Sequence, residues 1–268
     1  MKDESKKILH KDNDDYGILR LTLDDCKNKN TLSEMMMKEL IDALNDASKN
    51  KFIKVIIIAA TGDVFCSGHN LKEITNAREN ADLGESYYIN LFNLCSSLMQ
   101  LIVNCPKPVI AEVNGIATAA GCQLVASCDL AISSNLSRFA TPGVNLGLFC
   151  STPMVALSRN VSKKNSMKML LTGDMIDANE AKNISLINDH VPADELTQTV
   201  MNLAEKIAQK SSMTIKTGKE AFYKQFEMNL SDAYEYTSKV MAENILKDDA
   251  KEGIQSFLKK QDPNWSDS

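Results

Sequence analysis

The sequence predicts an α/β body followed by a mainly helical C-terminal part. Three observations carry this expectation. Val55–Ala60 is a continuous, largely β-branched apolar run, the pattern of a strand buried on both faces of a parallel sheet. Val109–Val113 is a second apolar run; it breaks at Asn114-Gly115 and passes through small residues, Ala117–Gly121, into a helix-like segment, so strand and helix alternate. From Pro153 onward strand signals nearly vanish and helical spacing takes over.

Taken in order, residues 1–15 read as a flexible, charged leader. Gly17–Leu23 alternates, with Leu19, Leu21 and Leu23 on one face and Arg20 and Thr22 on the other, as in a half-buried strand. Ser33 can cap a helix to Lys49 whose apolar set includes Met36, Leu40, Ile41 and Leu44. Thr61-Gly62-Asp63 turns the chain after the buried strand. Leu83–Val103 reads as a long helix ending before Cys105-Pro106. Ala119–Ser127 reads as helix and Leu130–Ser133 as strand. Helical segments follow at Thr152–Arg159, Lys164–Leu171, Ala178–Asn183, Asp194–Lys210, Thr214–Gln225 and Ser231–Asn244. No linker separates independent domains, and no internal repeat is visible. The expected organisation is a leader at 1–15, a core at 16–200 and a helical region at 201–268.

Composition excludes several functions. The chain has 268 residues and a net charge of −5, with a pI near 5.4, so it has no global attraction for nucleic acid or an anionic membrane. No apolar run approaches transmembrane length. The seven cysteines form no CxxC pair and sit mostly in apolar surroundings, which suggests buried, reduced thiols. With no secretory h-region and no transit-peptide pattern at the N-terminus, a cytoplasmic location is expected. GxGxxG, the Walker loop and GxSxG are absent. Three histidines without a ligand cluster make a metal site unexpected, so no metal and no permanently bound cofactor is assigned. Ser67-Gly68-His69 places two chemical side chains next to each other on an extended segment, where they point apart; backbone geometry explains the pattern better than a dyad.

Two loops draw attention. Phe65–Glu73 follows the buried strand and turns into a helix; Asn114–Gly121 does the same one cycle later. Loops at the carboxyl ends of parallel strands are where α/β proteins bind ligands. Small side chains admit a ligand close to the backbone, and two N–H donors aimed at one oxygen make an oxyanion hole. Each loop alone is better explained by tight helix–strand packing; the two together in one chain favour a binding function.

On FCSGHNLKE, PKPVIAEVNGIATAAGC, CDLAISSNLSRFATP, LTGDMIDANEAKNISLINDHVP and EGIQSFLKKQDPNW, the chain resembles the crotonase superfamily, the enoyl-CoA hydratase/isomerase family, from the strand near Gly17 to Trp265. The resemblance implies a crotonase-like spiral of β-β-α units with a C-terminal helical oligomerisation region, assembled as a homotrimer or homohexamer. It implies a coenzyme A thioester as substrate. The thioester oxygen would be held by the N–H groups of His69, after Gly68, and of Ala120, before Gly121. The CoA portion would lie near Ser67, Leu71 and Lys72, and near Phe257 and Lys260 from a neighbouring copy.

The same resemblance exposes a departure. Hydratases of the family use two glutamates to activate water and deliver a proton to the α-carbon. Here those positions read Gln123 and Gly143. An amide orients water without exchanging a proton, and glycine does neither. Nearby Asn145, Cys150, Ser151 and Thr152 supply no carboxylate. Glu112 is expected on a surface or in a salt bridge, and Asp129 in a structural role. The residues point to a family-type acyl-CoA enzyme, a lyase or isomerase, with weak hydratase turnover. An acyl-CoA-binding protein, a thioesterase and a decarboxylase remain open alternatives.

Overall fold

The computed structural model describes residues 7–267. The chain opens with β1 (Leu9–Asn13), antiparallel to β2 (Ile18–Leu23). β1 corrects the expected leader over residues 1–15. Leu9 is buried while Lys11, Asp12 and Asn13 face solvent, so the strand carries almost no apolar alternation and is held by its ladder to β2. Residues 1–6 of that leader lie outside the described residues.

After α1 (Glu34–Lys49) come β3 (Val55–Ala60) and β4 (Val64–Cys66), then α2 (Leu71–Ala77) and α3 (Glu85–Asn104). The cycle recurs as β5 (Val109–Val113), β6 (Ile116–Thr118) and α4 (Ala120–Ser127), and again as β7 (Leu130–Ser134) and β8 (Arg138–Ala140) before α5 (Pro153–Asn160) and α6 (Lys163–Thr172). The first strand of each pair joins a six-stranded sheet ordered β1-β2-β3-β5-β7-β10, where β10 is Asp189–Val191. The second joins a four-stranded sheet ordered β4-β6-β8-β9, where β9 is Ile176–Asp177. Pairing is parallel throughout except at β1/β2 and β8/β9. The result is a spiral of β-β-α turns. Its turns are tied by side chains: Asn114 Nδ2 donates to Gly62 O at 2.6 Å, and Ser137 Oγ to Val113 O at 2.8 Å.

Packing explains the unbroken apolar run of β3. Ile56 and Ile58 join the larger core with α1, α3 and α4 residues such as Leu40, Leu98 and Val125. Val55, Ile57 and Ala59 face the other way, under Leu196, Val200, Ala204 and Ala208 of α8 (Leu196–Ala208). Both faces are covered, as a parallel sheet requires. The boundary drawn at residue 200 falls inside α8, which buries a full stripe on this sheet. α7 (Ala178–Asn183), α9 (Ser212–Gln225), α10 (Leu230–Ile245) and α11 (Asp248–Lys259) complete the helices. α1 has the expected cap, Ser33 Oγ accepting from Met36 N–H at 3.2 Å.

Asp129 fastens the helical region to the body. Its carboxylate accepts from Val109 N–H at 2.7 Å, Lys219 Nζ at 2.6 Å and Tyr223 OH at 2.9 Å. Lys219 also donates to the carbonyls of Ile102 and Lys107, both at 3.0 Å. All three ammonium protons are used, and the ion pair is largely buried. At the C-terminus, Trp265 lies over Gly253 and donates to Gln209 O at 2.8 Å. Much of the helical region presents apolar side chains outward, among them Phe222, Phe226, Leu230, Tyr234, Leu246 and Phe257.

Removing one partner of a buried, hydrogen-bonded ion pair leaves the other uncompensated, at about 3–5 kcal/mol. Lys219→Met is therefore expected to lower unfolding stability by a large fraction of that amount. Asp129→Ala is expected to do the same, and the double variant to cost less than the sum. Denaturant unfolding of the three proteins checks this; additive effects would contradict it.

Candidate active site

The two loops meet at their glycines. Gly68 has φ +90, a conformation that favours glycine, and a Cβ there would stand 3.0 Å from Ala119 Cβ, 3.1 Å from Thr118 O and 3.2 Å from Ala120 N. Gly121 is tighter still: a Cβ would come within 2.0 Å of Cys66 O. α4 thus rests directly on β4, and the amide of Ala120 faces the backbone of residue 68.

Each loop prepares the next amide in the same way. The residue before His69 is Gly68 at φ +90, and the residue before Ala120 is Ala119 at φ +51 and ψ −120. Both lie in positive-φ backbone. For an alanine this conformation costs about 1–3 kcal/mol, and such strain clusters at functional sites. Ala119 is held there by its own N–H, which donates to Ala140 O at 3.0 Å. Ala120 opens α4, so its N–H has no carbonyl one turn back. The helix ladder starts at Gln123, whose N–H reaches Ala119 O at 3.0 Å. The His69 N–H enters no backbone hydrogen bond among the described residues.

Around this junction the side chains are neutral. Gln123 is 4% exposed, and the Cys95 thiol of α3 lies 3.8 Å from its Oε1. Gly143 sits in the short 3-10 turn Pro142–Leu146, and its N–H points to Cys150 Sγ at 3.3 Å. A Cβ on Gly143 would stand 2.8 Å from that sulfur and 2.9 Å from Leu148 O. The Cys150 thiol and a backbone carbonyl therefore occupy the room a side chain at 143 would need. Burial pushes the thiols of Cys66, Cys95 and Cys122 up to about 12. Burial raises Cys150 as well, against a smaller opposing effect of the Gly143 N–H. These sulfurs stay protonated at neutral pH and are poor nucleophiles.

The carboxylates set aside in the sequence lie elsewhere in hydrogen bonds. Glu112 accepts from Arg20 at 2.7 Å and from Thr197 OH at 2.8 Å. Asp129 holds Lys219. The imidazole of His69 is mostly buried; its Nδ1 lies 3.3 Å from Leu32 O and its ring meets Phe92 edge-on at 5.6 Å. Burial lowers its basicity from the ordinary histidine value, so the ring is neutral. Ser67 donates nothing to it. The Ser67 backbone N–H instead reaches Lys29 O at 3.2 Å, consistent with backbone geometry rather than a dyad.

Among the expected CoA residues, Leu71 and Lys72 start α2, where Asn70 Oδ1 caps Lys72 N–H at 3.1 Å, and both side chains are exposed. Phe257 is 82% exposed on α11, and Lys260 follows the end of that helix; α11 packs against α10. A separate groove of 710 Å³ between α1, α2 and α3 is lined by Glu34, Lys38, Glu39, Asp42, Glu73 and Tyr87. Its acidic wall is unsuited to a polyphosphate ligand.

A fold of this kind, with paired loops at the ends of parallel strands, defines the crotonase class. The family profile described as Enoyl-CoA hydratase/isomerase matches residues 13–268, and the chain belongs to that family. It is 49% identical over 251 residues to human "Enoyl-CoA hydratase domain-containing protein 3, mitochondrial", covering 93% of this chain and 81% of that protein. The Xenopus laevis protein of the same name is 47% identical over 254 residues, covering 95% and 85%. The crystal structure of the human protein superimposes with a TM-score of 0.92 at 46% identity, covering 97% of this chain and all 100% of that one. A Mycobacterium smegmatis enoyl-CoA hydratase structure gives 0.92 at 41%, covering 97% and 99%. The cytoplasmic location expected from the sequence is overturned by these relatives, which are named as mitochondrial. Buried reduced thiols fit any reducing compartment, so they could not discriminate.

What sequence reasoning missed is the sulfur at Gly143. Cys150 serves here as a space-filling neighbour; the six residues between the two give no periodic signal. Gly143→Glu is expected to destabilise the protein by roughly 1–3 kcal/mol through overpacking and not to raise crotonyl-CoA hydration. Gln123→Glu, nearly isosteric, is expected to fold. Thermal melts and a hydration assay on both variants check this; a stable, active Gly143→Glu protein would contradict it.

Proposed function

We propose that the protein is an acyl-CoA-processing enzyme that polarises a thioester carbonyl between the N–H groups of His69 and Ala120. The observation that carries this is the junction of Gly68 with the Ala120 amide, each donor following a positive-φ residue. Two donors converging on one oxygen favour the enolate over the neutral thioester, because the oxygen gains negative charge only when the enolate forms. The N-terminal end of α4 adds its dipole in the same sense. Small residues at 119–121 leave the space for a planar thioester. The family assignment supports a CoA thioester as substrate and no permanent cofactor.

The remaining machinery limits the reaction. By the resemblance, Gln123 and Gly143 stand where the two glutamates act in family hydratases, and the side chains that meet them are the thiols of Cys95 and Cys150. Each acid/base group is worth about 10²–10⁴ in rate. Water addition to a simple enoyl-CoA is accordingly slow in this protein. Lyase or isomerase chemistry would draw on the same enolate stabilisation, with water or the substrate's own groups taking and returning the proton that a glutamate carries in family hydratases. A non-catalytic acyl-CoA binder and a thioesterase or decarboxylase are the competing outcomes. Lys72, with Ser67 and Leu71, would receive the CoA portion, and Phe257 and Lys260 would complete it from a neighbouring copy. The outward apolar side chains of α9 to α11 favour a homotrimer or homohexamer that buries them.

A panel of CoA thioesters analysed by mass separates these readings. A gain of water marks a hydratase, loss of CoA a thioesterase and loss of carbon dioxide a decarboxylase; chromatography detects an isomer of unchanged mass. Crotonyl-CoA hydration is expected at least ~10²-fold slower than in a two-glutamate relative. A comparable rate would overturn the glutamate argument, and failure to bind any CoA thioester would overturn the proposal. Light scattering is expected to give three or six copies; a monomer would remove the shared CoA site.

A further inference from the structure

The imidazole of His69 and the carboxamide of Gln123 line the same face of α3. Phe92 and Cys95 stand one turn apart on that helix. Phe92 meets the His69 ring at 5.6 Å, and Cys95 Sγ lies 3.8 Å from Gln123 Oε1. Both polar side chains thus lie against α3, one turn apart along it.

Their hydrogen-bonding capacities are complementary and unspent. His69 Nδ1 faces the carbonyl of Leu32, which can only accept, so Nδ1 carries the ring proton and Nε2 is a bare acceptor. That nitrogen is buried and meets no donor. The desolvation that keeps the ring neutral preserves this acceptor at neutral pH. On the other side, Gln123 turns its Oε1 to the Cys95 thiol, which assigns the amide protons of its Nε2 as donors. An acceptor and a donor against one helix match a hydroxyl, which gives a proton to one partner and takes one from the other. A saturated or plain unsaturated acyl chain would leave Nε2 unsatisfied, a state that sites built to bind a hydroxyl discriminate against strongly.

We propose that His69 Nε2, together with the Gln123 amide, is a specificity-determining contact that selects acyl-CoA ligands bearing a hydroxyl on the acyl chain. This rests on the acyl-CoA reading above and adds to it the ligand's substituent and the side chain that reads it. His69 would then serve twice, its backbone N–H towards the thioester oxygen and its ring towards the chain.

Calorimetry with 3-hydroxybutyryl-CoA (each enantiomer) and butyryl-CoA tests it on the full-length protein. The wild type is expected to bind one hydroxyacyl enantiomer at least about tenfold more tightly than butyryl-CoA, the value of one recovered hydrogen bond. In His69→Phe, which keeps a ring and removes Nε2, this ratio is expected to fall to about one. Equal binding by the wild type, or an unchanged ratio in the variant, would overturn the proposal. A wild type that binds none of the thioesters would instead sink the acyl-CoA reading and this inference with it. Should His69→Phe fold poorly, the wild type labelled with ¹⁵N-histidine suffices, since only three histidines report. The His69 Nε2 signal is expected to move to the hydrogen-bonded acceptor range with the hydroxyacyl ligand and to stay in place with butyryl-CoA. A signal that responds identically to both would also refute the contact.

Discussion

The constraint on which the site depends is the contact between α4 and the strand beside it. Gly121 lets the helix settle onto the carbonyl of Cys66, and Gly68 lets the first loop pass the amide of Ala120. Any side chain at either position would separate the loops. The spiral supplies the rest: β4 and β6 are parallel neighbours in the smaller sheet, so their following loops emerge side by side. Repetition of the β-β-α unit is therefore the means by which two stretches of chain, about fifty residues apart, reach one place.

The chemistry around that junction has been stripped of charge. Gln123 supplies an amide, Gly143 is closed off by sulfur and carbonyl, and the thiols of Cys66, Cys95 and Cys122 are held protonated by burial. The carboxylates Glu112 and Asp129 are both engaged in structural ion pairs. In the proposed reaction, charge stabilisation would fall to main-chain dipoles. Those dipoles are strong where water is excluded, and they need no reorganisation when the oxygen becomes negative.

Much of this was legible in the residues. The apolar runs Val55–Ala60 and Val109–Val113 coincide with β3 and β5, and Ser33 caps α1 as its side chain implies. These elements are long or fully buried, so their patterns are strong. The short strands β4, β6, β8, β9 and β10 hold two or three residues each, too few for a period of two to register. α11 went unread as a helix because the family motif that ends the chain drew attention to Phe257 and Lys260 individually. The glycine pattern indicated where the loops lie, and the resemblance implied that Gln123 and Gly143 stand at the glutamate positions. Neither could reveal the orphaned nitrogen of His69 or the sulfur beside Gly143, because both arise from contacts between segments distant along the chain.

α4 spans eight residues, about 12 Å of helix. One end offers the Ala120 amide, and the other runs into Cys128 and Asp129, gripped by Lys219 and Tyr223 of α9. Beside them on α9, Phe222 and Phe226 are exposed, Phe222 meeting the Tyr223 ring at 5.3 Å. A single short rod thus joins the Ala120 amide to a helix whose exposed flank is greasy and bare. A contact that shelters that face would therefore also steady the rod and the amide at its far end.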